Sequence, residues 1–132
     1  MGATEQLAAL ASKAEDALAR AGSTLVLEPY VVAALDLAKG NPDDRADLAG
    51  AFISLTTAGG PWEFVAACMH ALRWTEVRVA IAGHLDEAIR RDDWRAIPVL
   101  RSVVEAFENE WEDADMFPWL PTPKEPVDGT AG

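Results

Sequence analysis

The chain contains a single cysteine, Cys68, among its 132 residues. One thiol cannot form an intramolecular disulfide, so the sequence favours a reducing, cytoplasmic setting. Residues 1–6 show no basic region followed by an apolar core, so we expect no secretory signal. No uncharged apolar run reaches the roughly 18 residues that a membrane-spanning helix needs. The sequence therefore predicts a cytoplasmic protein without disulfides.

Basic residues are also scarce. Eleven Lys and Arg stand against 22 Asp and Glu, which gives a formal net charge of −11. Nucleic acids and anionic membranes are bound through clustered Lys and Arg, so this charge argues against both as direct ligands. We expect a protein partner instead, and a basic one, because net charge of this sign favours association with positive surfaces.

The sequence carries no catalytic or phosphate-binding signature. It has no glycine-rich phosphate loop, no Gly-x-Ser-x-Gly, no His-Glu-x-x-His and no cysteine pair. An EF-hand is not supported, because Asp113-Ala-Asp115 lacks the ligands and the glycine that should follow. We predict no catalytic residue, no cofactor and no metal site, and hence a non-enzymatic protein. A weak divalent-ion site in the acidic run is left open.

Half of the residues are hydrophobic, and their spacing predicts an all-α domain of about six helices. The predicted helices cover residues 4–21, 29–39, 42–57 and 61–74, a fifth helix starts at 75, and a sixth starts at 92 or 93 and keeps its apolar register to 114. Residues 24–27 are expected to form a loop. One domain is predicted over 1–120, with 116–120 folded back onto it, and a largely flexible Pro-rich tail over 121–132.

The segment 61–74 is the most apolar part of the chain. Pro61 opens it, and after that only Glu63, His70 and Arg73 are neither apolar nor small. A helix that is apolar on nearly every side has to be enclosed by other elements, so we predict a buried central helix with the others packed around it. Association of two copies through this segment is the alternative, and it would make the protein a homo-oligomeric structural protein.

Helices over 61–111 are expected to pack as antiparallel pairs. This part of the chain resembles HEAT-type helical stacks in Val77-Arg78 and in Pro98, which opens the following helix. The resemblance implies stacked helix pairs. Because the chain carries no clear repeat period, the prediction is a single bundle, of which HEAT-like stacking is one possible form.

Acidic residues are concentrated in the sixth predicted helix. Residues 105–115 contain no base and six carboxylates: Glu105, Glu108, Glu110, Glu112, Asp113 and Asp115. Like charges three or four residues apart destabilise a helix by about 0.2–0.5 kcal/mol per pair, and acids in the last turn oppose its dipole. We predict that Glu105, Glu108, Glu112, Asp113 and Asp115, together with Trp119, dock a basic protein partner, as in an immunity-like or regulatory protein. The alternative is a solvated acidic face with no partner.

The two histidines are the other candidates. His70 shares the polar stripe of segment 61–74 with Glu63 and Arg73, so we expect it on a partly exposed side of that helix. His84 is expected at the edge of the core with a hydrogen-bond partner, and Cys68 is expected to be a small core residue. The alternative function that these residues leave open is a small enzyme or ligand-binding protein with a pocket near His70 or His84.

Overall fold

The structure is a computed structural model that describes residues 2–108, 111, 114 and 117–120. These residues form six α-helices and no strand, which confirms the predicted all-α class. The helices are α1 (Ala3–Ala21), α2 (Glu28–Gly40), α3 (Arg45–Thr57), α4 (Trp62–Leu72), α5 (Thr75–Arg90) and α6 (Ala96–Glu105). Within this part of the chain, no helix is both long and apolar enough to cross a membrane.

The first two helices are separated by a turn of 3₁₀-helix, Thr24–Leu27, and the prediction of a loop there is wrong. α1 ends at Gly22, whose φ of 67° is the left-handed conformation that glycine adopts readily. The Ser23 side chain then accepts a hydrogen bond from the Leu25 N–H and caps the 3₁₀ turn. Leu27 is buried, and α2 follows directly with Pro29 in its first turn, as predicted.

Helix α4 contacts α2, α3 and α6, while α1 packs against α2 and α3, and α5 packs against α3 and α6. Seven consecutive residues of α4, Phe64–His70, are buried, as its composition requires. The helix is shorter than predicted, because Arg73 adopts a left-handed φ of 55° and stops it. The position of α4 at the centre of the bundle stays a prediction.

Two adjacent glycines allow α3 and α4 to meet closely. Gly59 has a φ of 83°, a conformation that side-chain-bearing residues rarely adopt. The Gly60 N–H donates to the Leu55 carbonyl oxygen at 2.8 Å, and a Cβ on Gly60 would lie only 2.7 Å from that oxygen. A side chain at Gly60 would therefore force the last turn of α3 away from α4.

Helix α6 ends at Glu105, and the prediction that it continues to Ala114 is wrong. Residues 106–108 form a turn in which the Phe107 and Glu108 N–H groups bond to carbonyls three residues back, so Glu105 and Glu108 do not share one α-helix. The predicted acidic helix face therefore does not form at this pair. The rest of that face and the predicted flexible tail fall outside the described residues: Glu110, Glu112, Asp113, Asp115 and 121–132.

Candidate functional site

The C-terminal end of α6 is closed by two side chains from the end of α4. The His70 Nδ1–H donates to the Ala106 carbonyl oxygen at 2.7 Å, and a carbonyl can only accept, so Nδ1 carries the hydrogen. Arg73 donates from Nη1 to the Phe107 carbonyl at 3.0 Å and from Nη2 to the Glu108 carbonyl at 3.4 Å. These donors occupy carbonyls that a longer helix would offer to its own later N–H groups, which explains why α6 stops here.

His70 is buried, with 5% of its surface exposed, so the predicted partly exposed position is wrong. Its ring centroid lies 4.9 Å from that of Trp111, which covers it. Burial lowers the pKa of His70, the hydrogen bond to Ala106 opposes this effect, and the charge of Arg73 adds to it. The imidazole is therefore held in its neutral form and closes the helix end as a neutral hydrogen-bond donor.

Aromatic residues beyond α6 seal the same end of the bundle. Trp111 stacks on Phe117 with 5.3 Å between ring centroids, and Phe117 meets Trp119 edge-on at 5.8 Å. Trp111 is 3% exposed and Phe117 is 2% exposed, while Trp119 and Leu120 are partly buried against the core. Phe117, Trp119 and Leu120 thus fold back onto the bundle as predicted, and Met116 lies outside the described residues. The indole N–H groups of Trp111 and Trp119 are buried and find no hydrogen-bond acceptor among the described residues.

The predicted partner-binding residues are only partly covered by the structure. Glu105 is the half-buried last residue of α6, and Glu108 is exposed just beyond it. Trp119 lies against Phe117 with its indole nitrogen out of contact with solvent. The remaining three predicted residues lie outside the described residues: Glu112, Asp113 and Asp115. The structure therefore brings Glu105 and Glu108 to the end of α6 and leaves the rest of the set as a prediction.

A cavity of about 340 Å³ lies at the opposite end of α6. It is bounded by the last turn of α3, the second half of α5 and the first turns of α6. Apolar surface comes from Ala88, Ala96, Val99 and Leu100, and polar groups come from Thr56, Thr57, His84, Glu87, Arg91, Asp93 and Arg95. Small-molecule sites typically occupy about 300–1,000 Å³ with mostly apolar walls and a few polar groups, so the cavity has the dimensions of a small binding site.

Both carboxylates that line the cavity already have partners within the chain. Glu87 pairs with Arg90 at 2.5 Å and lies 3.9 Å from Arg91, and the hydrogen bond from Arg90 lowers the pKa of Glu87. Asp93 lies 3.7 Å from Arg91, and its Oδ1 accepts the Ala96 N–H at 3.3 Å. Asp93 thus caps the first turn of α6, and neither carboxylate is left over to neutralise a further cation.

Two basic groups at the cavity stay without an acidic partner. Arg95 forms no ion pair with any described carboxylate, and its guanidinium carbon lies 5.1 Å from the Trp94 ring centroid. His84 is exposed and hydrogen-bonds to none of the described residues, so its predicted hydrogen-bonded place at the core edge is wrong. Sequence reasoning left a pocket near His84 open as an alternative, but it did not assign the other walls of the cavity, because three separate helices build them. A further signal was Trp94, an aromatic residue within the charged run 90–95.

No protein-family model, curated protein or solved structure matches the chain. In the described part, no group of three or more His, Cys, Asp or Glu side chains is arranged to hold a metal ion. Cys68 is buried, and burial raises the pKa of its thiol, so the sulfur stays protonated and unreactive. The function therefore has to be argued from the two ends of α6.

Proposed function

We propose that the chain is a non-enzymatic, cytoplasmic protein-binding module whose acidic segment, residues 105–115, docks a basic protein partner. One observation supports this most directly: Trp111, within the segment, and Phe117, just beyond it, are buried in the bundle. Trp111 lies within a stretch of sequence that holds six carboxylates and no base. Its burial fixes that residue before a partner binds, which lowers the entropy that binding has to remove there.

The electrostatics of the segment favour a basic partner. Its carboxylates follow the C-terminal end of α6, where the helix dipole already contributes partial negative charge. Glu105 and Glu108 stand at this end of the helix. A positively charged surface gains from the carboxylates and from the helix end together, and it relieves their mutual repulsion.

The test compares two variants that remove five carboxylates each. The first carries Glu105→Gln, Glu108→Gln, Glu112→Gln, Asp113→Asn and Asp115→Asn. The matched control carries the same kind of change at five exposed acids in α1, in α2, in the 3₁₀ turn before α3 and in α3: Glu15, Asp16, Asp36, Asp43 and Asp47. Both variants have the same net charge, so a difference between them reports on the position of the charge.

Each protein is used for affinity capture from the source lysate, with a low-salt and then a high-salt wash, followed by mass spectrometry. We expect a basic protein that binds the wild type and the control, elutes with salt, and is lost with the segment variant. With the purified partner, the dissociation constant should rise about tenfold or more in the segment variant. Equal retention by both variants, or binding that is insensitive to salt, contradicts the proposal.

A ligand-binding function is the second candidate, and the cavity beside His84 favours it. His70 offers no such space, because Ala106 and Trp111 occupy its surroundings. The homo-oligomer alternative has less support than the sequence suggested. Residues 64–70 are buried within one chain, so this stretch offers no exposed apolar surface to a second copy.

A further inference from the structure

We propose that the cavity at the start of α6 binds a small organic acid, a monocarboxylate with an apolar or aromatic body. The apolar part of the proposal comes from Ala88, Ala96, Val99 and Leu100, which give the cavity a hydrophobic side. Ala88 and Leu100 are themselves buried, so this side is continuous with the core. An apolar body placed here is removed from water at a gain of roughly 25 cal/mol for each Å² covered.

The charge of the ligand follows from which groups are already paired. Glu87 is held by Arg90, and Asp93 is held by Arg91 and by the first turn of α6. Of the two arginines that line the cavity, Arg91 and Arg95, Arg95 is the one without a carboxylate partner among the described residues. A carboxylate matches its fork of N–H donors in a bidentate, charge-assisted pair, whereas a neutral amide offers one uncharged carbonyl oxygen and a cation is repelled.

The neighbours of Arg95 orient it without neutralising it. The Arg95 guanidinium lies over the Trp94 ring. Trp94 is 70% exposed, so this ring is not held in place by burial in the core. A cation held over an aromatic face keeps its charge and its N–H groups. His84, on the α5 wall of the cavity, supplies a second nitrogen that can donate to the same anion.

The α3 wall has the opposite polarity. The Thr56 hydroxyl donates to the Phe52 carbonyl at 3.1 Å, and the Thr57 hydroxyl donates to the Ser54 carbonyl at 3.4 Å. With their hydrogens engaged, both oxygens face a ligand as acceptors only. The carboxylate therefore points to Arg95 and His84, and any hydroxyl or amide N–H on the ligand points to α3.

The binding test uses the full-length ¹⁵N-labelled protein and three probes of one shape: phenylacetate, phenylacetamide and phenethylamine. Phenylacetate should cause saturable shifts of the backbone amide signals of Gly59, His84 and Ala96. Phenylacetamide and phenethylamine should bind at least about tenfold more weakly, because they cannot form the charge-assisted pair. Comparable binding of the neutral amide overturns the proposal, as does the absence of saturable shifts with phenylacetate.

Two arginine variants separate this site from general charge effects. Arg95→Gln should weaken phenylacetate binding about 10-fold to 100-fold, the usual effect of losing a hydrogen bond to a charged group. Arg101→Gln removes an exposed arginine of α6 that does not line the cavity, and it should leave the affinity unchanged. Equal affinities of the two variants contradict the assignment, provided that both give the amide spectrum of the folded protein.

This inference does not depend on the proposed protein partner. The cavity and the acidic segment lie at opposite ends of α6, and the two experiments use different variants and different readouts. If phenylacetate does not bind, the proposed cavity ligand is wrong and the proposed protein partner is unaffected. If the capture experiment fails, the proposed protein partner is wrong and the proposed cavity ligand is unaffected.

Discussion

The two ends of α6 differ in what surrounds them. At the C-terminal end, His70 and Arg73 donate to backbone carbonyls, and Trp111 and Phe117 exclude water. At the N-terminal end, charged side chains stand around a cavity and pair with one another at the surface. The first end is sealed by residues distant in sequence, whereas the charged pairs at the second connect near neighbours along the chain.

The two ends are expected to contribute differently to the stability of the fold and to the binding of a ligand. Burying an aromatic ring and satisfying a buried carbonyl each contribute on the order of 1 kcal/mol or more. Exposed ion pairs such as Glu87–Arg90 lose side-chain entropy and are screened by salt, so they contribute little to folding. We therefore expect the sealed end to dominate stability, while the open end carries groups that are available to a ligand.

The largest loss of stability is expected at the sealed end, from Trp111, and Trp94 at the open end is its matched control. Trp111→Ala removes a buried ring that stacks on Phe117, and it should lower the free energy of unfolding by about 3–5 kcal/mol. Trp94→Ala removes an exposed ring, and its effect should stay within about 0.5 kcal/mol. The free energy of unfolding of both variants is measured by urea titration, with far-UV circular dichroism as the signal. Similar losses for the two variants would remove the contrast between the ends.

A smaller, pH-dependent effect on the stability of the fold is expected from His70. Because the pKa of His70 is lowered in the folded state, the unfolded chain takes up the proton first as the pH falls. The stability that the neutral ring contributes is thus fully present above about pH 6.5, the ordinary histidine pKa, and is lost progressively below it. The melting temperature should therefore fall as the pH is lowered through this range.

The histidine variants assign that pH dependence to one end. His70→Asn keeps a donor near the Ala106 carbonyl but does not titrate, so the fall in melting temperature below about pH 6.5 should be reduced. His84→Asn is the matched control, because it makes the same change at an exposed histidine on the cavity wall. If His84→Asn flattens the profile and His70→Asn does not, the buried histidine is not the group responsible.

The smallest effect is expected at the exposed ion pairs of α5. Glu87→Gln removes the carboxylate that pairs with Arg90. It also removes one of the two carboxylates near Arg91, and Asp93 remains as the other. Both side chains of the Glu87–Arg90 pair are largely in water, so the urea midpoint should not change measurably at physiological salt. A clear loss of stability would mean that the open end contributes more to the fold than its exposure indicates.

Local signals predicted most of the helix boundaries. Gly22 ends α1, Pro29 lies in the first turn of α2, and Gly59-Gly60 separate α3 from α4, because each acts on the backbone of its own neighbours. The end of α6 was mispredicted, since the groups that bond the carbonyls just beyond it come from another segment: His70 lies in α4, and Arg73 follows the end of α4. An apolar register that continues to Ala114 cannot reveal donors supplied from another helix.

The candidate sites divide in the same way. Composition alone located the six acids of 105–115 and the apolar residues 117–120, because both are properties of a continuous stretch. The cavity was not predicted as a set of residues, since α3, α5 and α6 each contribute only part of its walls. The burial of His70 was missed for a similar reason, because Trp111 covers it from beyond α6.

By itself, the sequence determined the all-α class, most helix boundaries and the sign of the charge, all of which depend on residue spacing or composition. Only the tertiary structure decided where α6 stops, which histidine is buried, and which arginine at the cavity has no carboxylate partner within the described part of the chain. These outcomes depend on distances between segments far apart in the chain, and periodicity within one segment carries no information about such distances.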